Sequence, residues 1–200
     1  MAIFVDNVRE MNGSVIELSR SHAILWVFWD NENNKLYSQV IKDHPDFFDA
    51  IAASLSLGFC VITYRLFDKG GNVMSLPKLI SYLSSIDQKL EQRLRSNIDS
   101  QRPLLDKYFS YRNKIYAHRD KPKRPCEVFG NQLKPQVKSE MKVIVDLAQG
   151  IISALAEAAG IEKDEFAENL RLREENAGIN ADEVLEALEK VRLSFITKPN

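Results

Sequence analysis

Hydrophobic residues recur every three or four positions along most of the chain, a spacing that predicts helices. The first stripe covers residues 5–29, and the second begins at Pro45 and reaches about residue 67. No segment alternates apolar and polar residues in the way of a strand with one solvent-exposed face. The pattern therefore predicts an all-α antiparallel helical bundle, with the second helix as its central element.

Turn and capping residues delimit the later helices. Gly70 and Gly71 lie in a polar turn after the second helix, and Pro122 and Pro125 follow the end of a later one. Gly160 has the position of a glycine that ends a helix. The further predicted helices cover residues 75–97, 99–118 and 135–159, and residues 120–136 are predicted to form a loop.

The C-terminal part of the chain differs because acidic residues dominate it. Residues 161–192 contain ten acidic and five basic side chains, which leaves five net negative charges. We expect two short amphipathic helices there, hinged near Gly178. The predicted organisation is a helical bundle over residues 1–160, followed by a short acidic helical extension over residues 161–200 that packs on the bundle.

The length, the net charge and the number of cysteines limit the kinds of protein that this chain can be. The chain has 200 residues, 44% of them hydrophobic, which is enough for one globular domain with its own core. A net charge of -1 gives no overall sign of binding to a polyanion, so any basic site must be local. The two cysteines are too few for a disulfide-stapled secreted protein, which favours the reducing cytoplasm.

No targeting or membrane segment is expected. Asp6 and Glu10 fall where a signal peptide requires an uninterrupted apolar core. The apolar run over residues 50–64 is shorter than the roughly 20 residues that span a bilayer. The sequence therefore predicts a cytoplasmic protein without a membrane partner, in which this run forms a buried helix.

Most enzyme signatures are missing from the sequence. It has no glycine-rich phosphate loop, no GxSxG turn and no HExxH among its three histidines. His22 and His44 fit structural positions, and Cys60 fits a small buried hydrophobe. We expect neither a metal site nor a cofactor. The aromatic residues predicted to lie in the core or in an interface are Trp26, Trp29, Phe47 and Phe48.

One stretch, YRNKIYAHRD over residues 111–120, combines residue types that support phosphate chemistry. Arg112 is followed by the polar Asn113, and His118 lies six residues after the arginine at a predicted helix end. From Arg112 to Arg124 there are six basic residues and one acidic residue, which leaves five net positive charges. Such a local basic cluster suits a phosphate-rich partner.

This stretch resembles the signature of the HEPN superfamily, an arginine, four to six residues and then a histidine, set in a small helical bundle. Arg112, the polar Asn113 and His118 fit that signature. The longer string RNKIYAHRD, with YRLFD and SLPKL earlier in the chain, is similar to the branch named after the abortive-infection U-type phage-defence proteins. The resemblance covers residues 1 to about 160.

The resemblance implies a metal-independent endoribonuclease of prokaryotic abortive infection or toxin–antitoxin defence. It implies RNA as the substrate, a homodimer formed through the motif-bearing face, and an antitoxin or regulatory protein as a further partner. The implied catalytic residues are Arg112, Asn113 and His118. The expected RNA-binding residues are Lys114, Tyr116, Arg119, Lys121, Lys123 and Arg124, and Asp120 is expected to support the motif.

The chemistry of these side chains agrees with that activity. Histidine titrates near neutrality, so His118 can take the proton of an RNA 2′-OH, whose attack on phosphorus gives a 2′,3′-cyclic phosphate. Arg112 stays cationic and can donate two parallel hydrogen bonds to phosphoryl oxygens. Six residues of ideal helix separate the two by about 9 Å and about 120°, so they do not share a face. Either the helix unwinds near Ala117, or a second copy completes the site.

Two other functions remain open at the level of sequence. A non-catalytic helical module would use the same basic stretch to bind RNA or a protein partner. In a related arrangement, a nucleotidyltransferase antitoxin modifies a tyrosine two positions after the motif histidine. Asp120 stands at that position here, which argues against this form of silencing. The complete arginine–histidine motif favours the ribonuclease over the binding module.

Overall fold

The computed structural model describes residues 2–29, 36–70, 73–117 and 135–196, with residues 29, 115–117, 135, 163–170 and 194–196 described by their backbone alone. Within these ranges the chain forms eight α-helices and one 3-10 helix and no strand, so the predicted all-α bundle is confirmed. The helices are α1 (Ala2–Trp29), α2 (Ser38–Asp43), α3 (Pro45–Phe67), α4 (Leu76–Ser81), α5 (Gln88–Ser100), α6 (Arg102–Ala117), α7 (Pro135–Ala158) and α8 (Lys163–Ile196).

Helix α1 is the centre of the bundle and packs against α3, α7 and α8. Its fully buried stripe consists of Val8, Met11, Val15, Leu18 and Leu25, spaced as the sequence pattern predicts. The expectation that the second predicted helix, α3, is the central element was wrong. Apolar residues cover most of the circumference of α3, but among the described residues its main contacts are with only two helices, α1 and α6.

Helix α3 is the one helix of the described residues that is long and apolar enough to cross a bilayer. Its most apolar 18 residues have a mean hydropathy of 1.6, and 28% of them are buried inside the protein. The expectation that this run is too short counted residues 50–64, whereas the helix itself has 23 residues. Length and composition alone are weak evidence for a membrane span, because core helices also meet these criteria.

The predicted third helix is interrupted. Helix α4 ends at Ser81, a 3-10 turn follows over Tyr82–Ser85, and α5 starts anew. Asp87 causes the restart because its carboxylate accepts a hydrogen bond of 3.0 Å from the backbone N–H of Leu90, which caps α5. The hydroxyl of Ser84 donates to the carbonyl of Ser81 at 2.7 Å and so competes for backbone groups of the preceding turn.

Helix α7 ends at a glycine, as predicted. Gly160 has a φ of +71°, a left-handed conformation that a side chain disfavours. The backbone N–H of Ile161 donates to the carbonyl of Ala156 at 3.0 Å, and that of Gly160 donates to Glu157 at 3.1 Å. This pair of bonds satisfies the last carbonyls of the helix and turns the chain toward α8.

Helix α8 is continuous through Gly178, so the prediction of two short helices with a hinge was wrong. A glycine inside a helix costs about 1 kcal/mol, which the packing of the surrounding turns can offset. Ala177, Ala181 and Leu185 are buried on one side of α8. Leu185 joins Phe28 and other residues in a second core cluster, where α8 meets α1.

Candidate functional site

The described part of the arginine–histidine motif lies on the last turns of α6. The helix starts at Arg102, which forms an ion pair of 2.9 Å with Asp106 one turn later. Leu105, Tyr108 and Phe109 are buried and fix the rotation of the helix against the core. This rotation carries Arg112 toward α3, while Asn113 and Lys114 are exposed to solvent.

Arg112 stacks on an aromatic ring of α3. The central carbon of its guanidinium lies 4.3 Å from the centroid of the Tyr64 ring. Tyr64 in turn meets Phe109 edge-on, with ring centroids 5.1 Å apart. Within α6, Nη1 of Arg112 donates a hydrogen bond of 2.9 Å to Oδ1 of Asn113. Among the contacts of the described residues, Tyr64 and Asn113 hold the guanidinium, and Phe109 supports the Tyr64 ring.

This arrangement suits the binding of a phosphate group. Arginine guanidinium groups commonly lie over aromatic faces, where the ring attracts their positive charge and limits the positions they adopt. Two parallel N–H groups in one plane are the geometry in which arginine binds phosphate oxygens. The half-buried position of Arg112 strengthens such a contact, because solvent screens it less than at an exposed site.

A second contact joins α6 to α7, the two helices on either side of the stretch that contains His118. Nζ of Lys107 donates hydrogen bonds of 2.7 Å and 2.6 Å to the two carboxylate oxygens of Glu140. Gln136 also donates to Glu140, at 3.3 Å. Burial disfavours the charge of Lys107, but the hydrogen bonds to Glu140 outweigh it, and the pKa of Lys107 is raised. The ammonium of Lys107 therefore stays charged at neutral pH.

Aromatic residues of α6 support this region from the core side. Tyr108 is fully buried and packs edge-on against Phe59 of α3, with centroids 5.7 Å apart. Its hydroxyl has no hydrogen-bond partner among the described residues, and burial raises its pKa well above the usual value. Tyr111 packs against Tyr108 at 5.6 Å. Tyr108 is therefore a neutral core residue rather than a proton-transfer group.

The structure brings together only part of the predicted site. Arg112, Asn113 and Lys114 lie on adjacent positions at the end of α6, and the backbone of Tyr116 continues that helix. The predicted residues outside the described part of the chain are His118, Arg119, Asp120, Lys121, Lys123 and Arg124, as is most of the predicted loop over residues 120–136. Their roles therefore stay predictions.

Three contributing residues were not found from the sequence. Tyr64 lies in the YRLFD string, but nothing in the sequence indicates its contact with Arg112, 48 positions later. Lys107 and Glu140 are 33 positions apart, and their pairing likewise depends on how α6 and α7 pack. A carboxylate and an amine on separate helices give no spacing signal, so only the fold reveals them.

Comparison with known families settles the relationship of the chain. The family model HEPN_AbiU2, described as AbiU2, matches residues 8–176. The chain belongs to the AbiU2 family of HEPN proteins. The match includes Arg112 and the whole motif, and it runs past residue 160 into the first part of α8. No curated protein and no solved structure matches the chain.

Among the described residues of this AbiU2-family chain, the other histidines and Cys60 occupy structural positions. His22 is buried on α1, and burial together with the nearby cation of Lys142 lowers its pKa to about 4. His44 precedes α3 at the capping position but makes no side-chain capping bond. Cys60 is buried, and burial raises the pKa of its thiol. In the described ranges, no three histidine, cysteine or acidic side chains are close enough to hold a metal ion.

A cavity of about 560 Å³ lies elsewhere in the AbiU2-family fold, between the start of α5 and the end of α7. Its lining includes Lys89 and Arg93 from α5 and Ala154 from α7. Ala154 is 14 residues beyond Glu140 on the same helix, a separation of about 21 Å along its axis. The cavity is therefore separate from the surroundings of Arg112.

Proposed function

We propose that this AbiU2-family protein is a metal-independent endoribonuclease of prokaryotic abortive infection or toxin–antitoxin defence. The observation that carries the proposal is the placement of Arg112, stacked on Tyr64 and bonded to Asn113 at the end of a helix. His118 follows six residues later in the sequence. An oriented arginine and a histidine six residues later in the sequence supply the two functions that RNA cleavage by its own 2′-OH requires.

The proposed reaction is an intramolecular transesterification. The imidazole of His118 takes the 2′-OH proton, and O2′ forms a bond to the adjacent phosphorus. The bond from phosphorus to the 5′-oxygen then breaks, and that oxygen takes up a proton from an imidazolium. The products are a 2′,3′-cyclic phosphate and a 5′-OH. Negative charge develops on the phosphoryl oxygens, where Arg112 stabilises it through two hydrogen bonds.

The neighbouring residues have supporting roles in the proposal. Asn113 holds one guanidinium nitrogen of Arg112, which orients the side chain toward the phosphate. The proposed RNA-binding residues are Lys114, Tyr116, Arg119, Lys121, Lys123 and Arg124, with Asp120 supporting the motif. We further propose that the protein acts in the cytoplasm as a homodimer through its motif-bearing face, regulated by an antitoxin or another protein.

Cleavage by matched arginine variants tests the proposal. Arg112→Ala should abolish RNA cleavage and cellular toxicity, and Arg112→Lys should restore little activity because an ammonium lacks the planar fork. Arg95→Ala is the control, since Arg95 pairs with Glu91 on the surface of α5. Folding is checked by circular dichroism. Cleavage that survives in Arg112→Ala would contradict the proposal, and RNA binding without cleavage in the parent would favour the binding module.

A further inference from the structure

The cavity of about 560 Å³ between the start of α5 and the end of α7 is a cleft with an apolar floor. We call it the α5–α7 cleft and define it by Ile86, Lys89, Leu90, Arg93, Ala154 and Ala158. Leu90 and the two alanines are half-buried and pack against the main core cluster. Ile86, Lys89 and Arg93 are exposed around them. The floor of the cleft is therefore attached to the core, and its rim is open to solvent.

Two basic side chains at the rim of the cleft lack an ionic partner in the described part of the chain. Lys89 and Arg93 are four residues apart on α5, so they lie on the same side of the helix. Neither forms an ion pair with another described residue. Arg95, on the opposite side of α5, instead pairs with Glu91 at 2.8 Å. The two cations at the cleft thus differ from their neighbour on the same helix.

The placement of these two cations is unfavourable for α5 on its own. Like charges four residues apart on a helix repel each other. Lys89 also lies in the first turn of α5, where the helix dipole disfavours a cation. A negatively charged group between the two side chains would offset both effects. The pair therefore indicates an anionic partner rather than a role in folding.

The rest of the lining favours a peptide over a nucleic acid. Proteins bind single-stranded RNA by stacking its bases on aromatic rings, and none of the described residues that line the cleft is aromatic. Asp87 and Glu157 also line the cleft, and the carboxylate of Asp87 caps α5. Both carboxylates disfavour a strand with a charge at every nucleotide. A peptide can place its few carboxylates at Lys89 and Arg93 alone.

Exposed apolar side chains occur just before α5 as well. Ile86, which lines the cleft, is 45% exposed, and Tyr82, four residues earlier, is 44% exposed. The Tyr82 ring packs against Phe4 of α1, with centroids 5.9 Å apart. Tyrosine and arginine are enriched among the residues that dominate protein–protein interfaces. This part of the surface therefore combines apolar contact area with two cations, which fits an acidic peptide that carries an apolar side chain.

We propose that the α5–α7 cleft binds an acidic segment of a partner protein. An apolar side chain of that segment fills the space beside Ala154 and Ala158, and its carboxylates pair with Lys89 and Arg93. The inference rests on the proposed function only for the expected partner protein, because it involves neither RNA cleavage nor the homodimer. The cleft is separate from the surroundings of Arg112, so the segment does not compete with RNA for that arginine.

Selection of short peptides from a random phage-displayed library against the full-length protein tests the proposal. Enriched peptides are synthesised with a fluorescent label, and their dissociation constants are measured by anisotropy. The double variant Lys89→Gln/Arg93→Gln removes both cations and should weaken binding about 10-fold. Ala154→Leu fills the floor of the cleft and should weaken binding by a similar factor. Ala158→Leu repeats that test if Ala154→Leu fails to fold.

The matched control is the double variant Lys69→Gln/Arg95→Gln. It removes the same number of positive charges, but from ion pairs with Asp99 and Glu91 whose residues do not line the cleft. Peptide binding should therefore stay at the level of the parent. Circular dichroism checks that every variant is folded.

The proposal expects enriched peptides that combine acidic residues with a large apolar residue and that bind more weakly at high salt. Enrichment of no such peptide, or equal binding to the parent and to Lys89→Gln/Arg93→Gln, would overturn it. A single-stranded RNA with 2′-O-methyl groups is the second probe, because it lacks the 2′-OH nucleophile. Weaker binding of this RNA to the same double variant would assign the cleft to RNA and would also overturn the proposal. Neither probe measures cleavage, so the result is independent of whether the protein is a ribonuclease.

Discussion

The guanidinium of Arg112 lies 4.3 Å from the centroid of the Tyr64 ring, so a side chain of α3 orients the arginine of the HEPN motif on α6. The contact joins two positions that are 48 residues apart in the chain. Because Tyr64 lies on α3, the position of the arginine depends on the packing of that helix. The predictions that follow test this relationship and the fold around it.

Replacement of Tyr64 should weaken RNA cleavage without unfolding the protein. Tyr64→Leu removes the ring under Arg112, and a cation–π contact contributes about 0.5–2 kcal/mol, so kcat/KM should fall by a factor of about 2 to 30. Tyr64→Phe keeps the ring and should retain activity near that of the parent. The measurement is single-turnover cleavage together with the dissociation constant for RNA. Equal cleavage and binding by Tyr64→Leu and the parent would show that the ring does not position Arg112.

Loss of the Glu140 carboxylate should destabilise the junction of α6 and α7. Glu140→Gln leaves the ammonium of Lys107 without its anionic partner in a partly buried place, so the free energy of unfolding should fall by about 1–2 kcal/mol. Urea denaturation measures this change. Asp99→Asn is the control, because its pair with Lys69 is solvent-exposed and should change stability by less than about 0.5 kcal/mol. A similar effect of both variants would contradict a special role of Glu140.

Acid should destabilise the fold through His22. The folded-state pKa of about 4 lies below the ordinary value of 6.5, so the unfolded chain binds the proton first as the pH falls. Stability from this residue is thus retained above pH 6.5 and lost between 6.5 and 4, with a total of about 3 kcal/mol. In His22→Leu this part of the pH dependence should disappear.

The test of His22 is the free energy of unfolding as a function of pH for both proteins. Groups near His22 include Lys138, Lys142 and Asp146, and they are unchanged in the variant, so their titration cancels in the difference. His44→Leu is the control, because His44 is exposed. Parallel pH curves for the parent and His22→Leu would show that His22 is not buried in its neutral form.

The continuity of α8 predicts opposite effects for two glycine substitutions. Gly178→Ala should raise stability by about 0.5–1 kcal/mol, since the residue is helical and its added Cβ would lie 3.9 Å from Val27, an ordinary contact. Gly160→Ala should lower stability by about 1 kcal/mol because its φ is +71°. Thermal denaturation measures both. A destabilised Gly178→Ala would indicate a hinge at that residue instead of a continuous helix.

Local signals in the sequence correctly predicted where helices begin and end, and which face is buried, when a single residue type or spacing determines that feature. The start of α3 at Pro45, the end of α7 before Gly160 and the buried stripe of α1 all follow from proline, glycine and helical spacing. The prediction was wrong where two opposing effects determine whether a helix ends or continues. The Asp87 cap breaks a helix that the apolar pattern would continue, and packing on α1 carries α8 through Gly178.

Only those residues of the candidate site that are close together in the sequence could be predicted from it. The motif itself is visible because Arg112 and Asn113 are neighbours and His118 follows at a characteristic interval. The contacts of Arg112 with Tyr64 and of Lys107 with Glu140 arise from the packing of separate helices, which no residue spacing encodes. For the same reason, the composition of α3 could not show that, among the described residues, only 28% of its most apolar stretch is buried.

The chemistry of the product ends tests the central claim most directly. Total RNA is incubated with the purified protein and with His118→Ala in excess EDTA, and the ends of any fragments are analysed. We predict cleavage by the parent alone, with 2′,3′-cyclic phosphate and 5′-OH ends, because the 2′-OH is the nucleophile and His118 its base. Equal cleavage by both proteins, or fragments that carry 5′-phosphate and 3′-OH ends, would contradict the account.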